Sequence, residues 1–442
     1  MTAAQAEIYT QVPEDIARQI VLPEGHLDEE ALFNAYEWLR KNAPLAKAEV
    51  EGYDPLWLVS KHADILEIER QPHIFHNAGG SDNPGSHNPI LNTTAGDAWT
   101  KKTHGTLRTL ESLQMMDPPE HTLIRDIAQG WFKPMELKKW DDRIRQLANH
   151  VIASRLAPGI NEVDFSREFA WFYPLHVIMT LFGVPAEDEP LIMKLAHERF
   201  GANDPESRRQ DLSGDAATAA AQQNSANIRD FEAYYVNLVE SLRSSPQDNL
   251  ASLIANARQG NGDYYPMKTC IGYYIAISGA GHDTTSTTAA TIFEQLAKHP
   301  EQLKAVQKDL SLIPTLINEG LRWASPVKHF VHQAATDYEL RGSNIRAGDR
   351  MMLLFQSANR DEEIFGEAAK FRHDRKPNPH IAFGSGPHSC LGQPLARLEL
   401  RVLLEELLPR VRNIELIGPR KVLQTNFVGG LKSLPVRFEL LD

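Results

Sequence analysis

The run Phe383-Gly384-Ser385-Gly386-Pro387-His388-Ser389-Cys390-Leu391-Gly392 stands just ahead of a helix-forming stretch, residues 394–408. Two effects there favour the thiolate: metal coordination deprotonates a thiol outright, and the partial positive charge of a helix N-terminus lowers a cysteine pKa. Glycines remove side chains where backbone passes close to a flat ligand. N–H groups opening the next helix can donate to sulfur and tune its redox potential. Other readings compete. Free cysteine is among the most buried residue types, so a purely structural thiol is the plain alternative. Zinc would draw on His380, His388 and Cys390, but the paired spacings of structural sites are missing and the only other cysteine, Cys270, lies far upstream. A phosphate loop lacks the Lys-Ser/Thr pair that would follow its glycines.

Phe-Gly-x-Gly-x-His-x-Cys-x-Gly resembles the haem-binding signature of the cytochrome P-450 superfamily, the haem-thiolate monooxygenases, and every signature position is present. The resemblance implies that Cys390 is the proximal iron ligand and that His388 hydrogen-bonds a haem propionate. It further implies that Phe383 packs beside the thiolate and that Gly392 belongs to the cofactor-binding loop. With no C-x-x-C-H motif, the haem b is expected to be held without thioether links.

The 442 residues contain no Gly/Ser-rich linker, low-complexity tract or internal repeat, so one domain over 1–442 is expected, with residues 1–28 as an N-terminal extension. A chain this long can bury a large apolar cofactor. No stretch reaches the ~20 apolar residues of a membrane span, and the N-terminus lacks a signal-peptide core. Two cysteines give no disulfide framework, which fits a reducing, cytoplasmic setting. The net charge of −12 argues against a general nucleic-acid binder. A local basic group, Lys133, Lys138, Lys139, Arg143 and Arg145, is either a docking patch for an acidic redox protein or a solvated helix face.

Pro266 and Pro300 bracket a helix expected over residues 267–299, long enough at ~1.5 Å per residue to cross a whole domain. Its middle, Ser278 to Thr288, is crowded with residues that disfavour helix interiors, glycine costing ~1 kcal/mol relative to alanine. Ala276, Ala280, Asp283, Thr284 and Thr287 fall on neighbouring rows, which gives a narrow face carrying hydroxyl and carboxylate groups. Read by itself, the cluster either serves a ligand or merely bends a core helix. Ala280-Gly281-His282-Asp283-Thr284-Thr285 is similar to the same family's oxygen-activation motif. By that resemblance Thr284 hydrogen-bonds dioxygen or its water, and Asp283 relays protons, switching between a salt bridge and a water chain. His282 receives no role.

Glu319 and Arg322 stand three apart on a helix read over 313–324, and the family pattern completes a buried structural trio with Arg375. His121 and Arg125, at i and i+4 after Asp117-Pro118-Pro119-Glu120, share one helix face. The resemblance sends both to the haem propionates, which favour bidentate arginine partners. One departure concerns the strand after Pro326-Val327, where His332 stands in place of the usual arginine. Strand alternation is confined to short stretches such as 338–340, 350–355 and 436–440. The expected fold is mainly α with a smaller β region, a cytochrome P-450 fold with haem between the long helix and the cysteine loop.

The implied activity is that of an oxidoreductase, a monooxygenase using dioxygen and two electrons. The chain carries no flavin, nicotinamide or iron–sulfur motif, so a separate ferredoxin and ferredoxin reductase are implied, a flavodoxin serving some bacterial relatives. Residues 76–114 and 201–225 read as access lids. Ala276, Gly279, Ala280, Val327 and Phe427 are expected to wall the substrate, and none offers a charged anchor. Arg208 and Arg209, on the lid loop, would change that picture. A small to medium apolar substrate follows, a terpenoid or aromatic hydrocarbon. Tyr173 to Thr180, Ser357 to Glu363 and Thr425 to Gly430 are similar to a bacterial branch that hydroxylates alpha-terpineol. Two other functions remain open: peroxide-driven oxygenation, for which the Asp-Thr pair is superfluous, and a non-catalytic haem sensor or carrier, which gives Thr284 no purpose.

Overall fold

The computed structural model describes residues 10–156, 158–209, 212 and 216–441. Its organising element is the α-helix Met267–Lys298, opened after Pro266 and closed where the His299 N–H donates to the Gln295 carbonyl ahead of Pro300. The helix runs unbroken through its glycines and hydroxyls. Close packing offsets their cost, because a Cβ on Gly281 would stand 3.2 Å from Ile178, on the helix Phe172–Phe182. The hydroxyls of Ser278, Thr284, Ser286 and Thr288 each donate to the carbonyl four residues earlier, at 2.8–2.9 Å. Helix Ile313–Ala324 crosses farther along, with Gly320 pressed against Ile292 so closely that a Cβ would stand 2.4 Å from it.

These helices enclose the largest core cluster, which includes Phe165, Tyr173, Phe231, Tyr274 and Phe293. Two smaller cores flank a five-stranded sheet ordered Leu45–Ala48, Leu56–Val59, Arg350–Leu354, His329–Ala334, Phe75–His76. Its second and third strands pair parallel and the other neighbours antiparallel. In His329–Ala334 the two-residue period of a strand sends Phe330 and His332 to one face while Val331 enters the core on the other. A three-stranded antiparallel sheet sets Pro435–Leu440 between Gly159–Asp164 and Val411–Leu416.

The fold is mainly α with a smaller β region. The expected helices over 267–299, 313–324 and 394–408 are Met267–Lys298, Ile313–Ala324 and Gln393–Leu407. The segments read as lids carry more regular structure than their Gly/Ser/Asn content indicates. Helix Thr94–His104 lies inside the first, and the second runs into helix Ala216–Ser244. Residues 10–28 pack onto the body through helix Glu14–Val21, whose Ala17, Ile20 and Val21 are buried. No helix among the described residues is long and apolar enough to cross a membrane.

Glu319 ties the helical half to the loop that precedes the cysteine. Its carboxylate accepts from Arg322 Nε and Nη2 at 2.8 and 2.7 Å and from Arg375 Nε at 2.9 and 3.1 Å. The Arg372 N–H and Asn378 amide add bonds of 2.8 and 3.1 Å. The other guanidinium nitrogens donate to carbonyls of Asn359, Gly366, Glu367, Ala368 and Lys370, so every nitrogen of the two buried cations is hydrogen-bonded.

Candidate active site

The cysteine loop is shaped by its glycines. Gly384 and Gly386 take φ of +65° and +62°, and a Cβ on Gly386 would stand 2.1 Å from the Glu69 carbonyl oxygen, so only glycine lets the loop lie against the C-terminal end of helix His62–Glu69. Cys390 donates its N–H to the Phe383 carbonyl at 2.8 Å, closing the loop ahead of helix Gln393–Leu407. The residue lines an internal cavity and is shielded from bulk water. Burial pushes the thiol pKa up. The N–H groups of Gly392 and Gln393 and the guanidinium groups of Arg125 and Arg397 pull the other way. Those donors would stabilise a thiolate bound to metal, whereas the free thiol stays protonated. Arg397 lies 4.8 Å over the Phe383 ring, steadying the aromatic beside the sulfur.

The cavity measures about 390 Å³. Cys390, Phe383, His388 and Gly392 line it on one side, and Ala276, Ala280 and Thr284 of the long helix line it as well. Val327 and Phe427 also reach it, as expected of wall residues. Gly279 does not. It faces Phe200, whose ring would be 3.3 Å from an added Cβ, so its smallness serves a helix crossing rather than a ligand. Both lid segments contribute lining, through Asn88, Trp99 and Leu107 from one and Ala202, Asn203 and Asn224 from the other.

One edge of the cavity gathers His121, Arg125, His332 and His388 from three distant parts of the chain. The His121 and His388 rings stand 4.1 Å apart. His121 Nε2, His388 Nε2 and His332 Nδ1 are buried without a hydrogen-bond partner. Burial holds all three imidazoles neutral: His121 falls to about 4, helped by Arg125; His332 falls to about 4, with Asp117 opposing; His388 lies well below its ordinary value. Three orphaned imidazole nitrogens beside a guanidinium form a donor set that two carboxylates would satisfy. Together with a thiol across the cavity and close-packed glycines beneath it, these residues fit haem and its propionates. His332 thus stands among the propionate candidates although it is no arginine.

On the long helix, the Thr284 hydroxyl faces the cavity while bonded to the Ala280 carbonyl at 2.8 Å. Asp283 turns away from that cavity. Its Oδ1 lies 3.7 Å from His197 Nε2 and 3.5 Å from His282 Nδ1, and no described Lys or Arg pairs with it. Burial raises its pKa, but the two imidazoles outweigh burial and the carboxyl ends below its usual range. His197 is held neutral, to about 4, chiefly by burial. His282 Nε2 lies 2.8 Å from the Trp171 carbonyl, so the residue without an assigned role anchors the helix from behind Asp283.

Sequence reasoning missed His197 and Arg199, neighbours on helix Glu189–Phe200. The first meets Asp283, and the second lines the cavity. Neither sits in a motif, and their helix is only weakly amphipathic, so the sequence carried no signal that set them apart. Of the loop arginines, Arg209 pairs with Glu198 and Asp230 and does not line the cavity, nor does Arg208.

Comparison with known proteins gives one answer. Residues 215–415 match the family model for cytochrome P450. Cytochrome P450-terp of a Pseudomonas species is 42% identical over 428 residues, covering 97% of this chain and 98% of that protein. A steroid C26-monooxygenase of Mycolicibacterium smegmatis is 31% identical over 91% of this chain and 92% of its own length. Among solved structures, CYP108D1 of Novosphingobium aromaticivorans superposes with a TM-score of 0.86 at 36% identity, covering 98% of this chain and all of that one. Cytochrome P450 CYP268A2 of Mycobacterium marinum, solved with pseudoionone, superposes with a TM-score of 0.84 at 26% identity over 98% of this chain.

Proposed function

The chain belongs to the cytochrome P450 family, a monooxygenase with haem b as cofactor, and on that basis we propose that it hydroxylates a small to medium, largely apolar molecule with electrons from a separate ferredoxin and its reductase. One oxygen atom enters a C–H bond. The other leaves as water, at the cost of two electrons and two protons. The observation that carries the reading is that Cys390 and Thr284 line one apolar cavity from different elements.

Cys390 would hold the haem, which when bound would supply a thiolate-ligated iron of the kind that favours reductive cleavage of the O–O bond. The Gly392 and Gln393 N–H groups are placed to donate to the sulfur and would stabilise the thiolate once metal binding has removed its proton. His121, Arg125, His332 and His388 would hold the propionates, the three imidazoles through nitrogens that are buried without a partner. Thr284 holds a proton at Oγ1 on the cavity side of the helix, and releasing the Ala280 carbonyl lets it donate inward. Asp283 collects protons on the outer side, where His197, a quarter exposed, reaches solvent. Rotation of the Asp283 side chain from the histidines toward Thr284 would join the two. Ala276, Ile277, Ala280, Val327 and Phe427 exclude water around the substrate.

The likeness to cytochrome P450-terp and to a P450 solved with pseudoionone supports a terpenoid, and an aromatic hydrocarbon fits the same apolar walls. For the ferredoxin, Lys133, Lys138, Lys139 and Arg143 are exposed on elements packed beside the helix that leaves the cysteine loop. Arg145 is not free for docking, since it pairs with Glu405 and Glu406 on that helix.

The test is product formation from a terpenoid with dioxygen and a reconstituted ferredoxin chain. Carbon monoxide added to the reduced protein should give the red-displaced absorption band of a thiolate-ligated haem. Thr284→Ala should divert electrons to hydrogen peroxide, and coupled turnover untouched by that substitution removes Thr284 from the mechanism.

A further inference from the structure

The cavity holds a cation that no described residue neutralises. Arg199 sits in the last turn of helix Glu189–Phe200 and lines the cavity beside Phe200 and Asn203. It makes no hydrogen bond or ion pair with any described residue, and burial alone lowers its guanidinium to about 10, with no carboxylate opposing. The buried arginines elsewhere are served differently: Arg322 and Arg375 share Glu319, and Arg360 donates to the Trp323 carbonyl and stacks on Phe33. A guanidinium has five N–H donors and keeps its charge at neutral pH. Facing an apolar cavity, those donors are satisfied only by water or by an acceptor that a ligand brings.

Position adds a second constraint. The Arg199 Cδ lies 4.0 Å from where a Cβ on Gly279 would stand. Gly279 precedes Thr284 by five residues on one unbroken helix, which is about 7.5 Å along the axis. Arg199 and Thr284 therefore meet the cavity at separate levels along that helix.

We propose that Arg199 anchors the substrate by a carboxylate, and less tightly by a hydroxyl, so that oxidation falls on the carbon at the far end of the skeleton, beside Thr284. The substrate class is thereby an oxygenated terpenoid acid rather than a bare hydrocarbon. The proposal rests on the reading of this cavity as the substrate site of a monooxygenase.

The test uses the ferric holoprotein and three probes that share one carbon skeleton: perillic acid, perillyl alcohol and limonene. Displacement of the iron-bound water, followed as a shift of the haem absorption maximum, gives a dissociation constant for each. The acid is expected to bind tightest and limonene weakest. Arg199→Leu is expected to weaken the acid tenfold or more, limonene by less than threefold, with Arg199→Lys in between for the acid. In turnover, the acid should be hydroxylated at its isopropenyl end, and Arg199→Leu should scatter the products. Limonene binding as tightly as the acid to the unaltered protein overturns the proposal whether or not any variant retains haem. An equal loss for all three probes in Arg199→Leu overturns it as well. If the acid ranks first but no hydroxylated product forms with dioxygen and electrons, the anchor stands and the monooxygenase reading falls.

Discussion

Replacing Glu319 by glutamine keeps the shape of the side chain and removes its charge, so the variant isolates the electrostatic part of the Glu319–Arg322–Arg375 trio. In the native protein the carboxylate and the Arg322 guanidinium are both fully buried, and Arg375 is nearly so. Four guanidinium contacts of 2.7–3.1 Å converge on the two carboxylate oxygens. Without the anion, two positive charges remain in the interior, held by carbonyl dipoles alone. Breaking a buried pair by removing one partner costs about 3–5 kcal/mol. For 442 residues the unfolding entropy is about 0.9 kcal/mol/K, so the melting midpoint should fall by about 3–5 °C. Because Arg375 lies on the loop that leads to Cys390, the haem-loaded fraction should fall as well. Differential scanning calorimetry reads the first effect and the carbon monoxide spectrum of the reduced protein reads the second. Arg145→Gln is the control. It breaks part-exposed pairs with Glu405 and Glu406, of the kind worth about 0–1 kcal/mol, so its midpoint should move by about 1 °C or less. Equal midpoints for Glu319→Gln and the control would refute the reasoning.

Asp283→Asn should slow coupled turnover by about 10²–10⁴ and raise its solvent isotope effect, because the group proposed to collect protons is gone; an unchanged isotope effect would place proton entry elsewhere. Gly386→Ala forces a Cβ to within 2.1 Å of the Glu69 carbonyl at a φ of +62°, so the cysteine loop must shift, and the carbon monoxide complex should lose its thiolate-type band. His87, bonded to the Val331 carbonyl, is held neutral to about 3, mainly by burial and next by Arg350. In the unfolded chain it titrates near 6.5, so between those values the unfolded state binds more protons and stability falls as the pH drops. The melting midpoint should therefore decline below about pH 6.5, and His87→Gln should make that decline shallower.

The parts of the site that lie within one element were legible in the sequence, for a physical reason. A helix or a tight loop fixes relative positions by its own geometry, so spacing alone placed Glu319 with Arg322, His121 with Arg125, and Asp283 next to Thr284. The glycines at 384 and 386 marked a close backbone approach, and the prolines at 266 and 300 bounded the long helix to within a residue.

What only the tertiary structure decided is how separate elements meet. The long helix alone does not reveal that Asp283 faces two histidines instead of a lysine or arginine, because His197 arrives on another helix. Nor does it reveal that Gly279 yields to the Phe200 ring and not to a ligand. His332 joins His121 and His388 only because a strand register turns it toward the cavity, and Arg199 stands there uncompensated only because its helix packs with that edge inward. Such meetings are set by side chains interlocking across elements far apart in the chain, and local spacing carries no record of them.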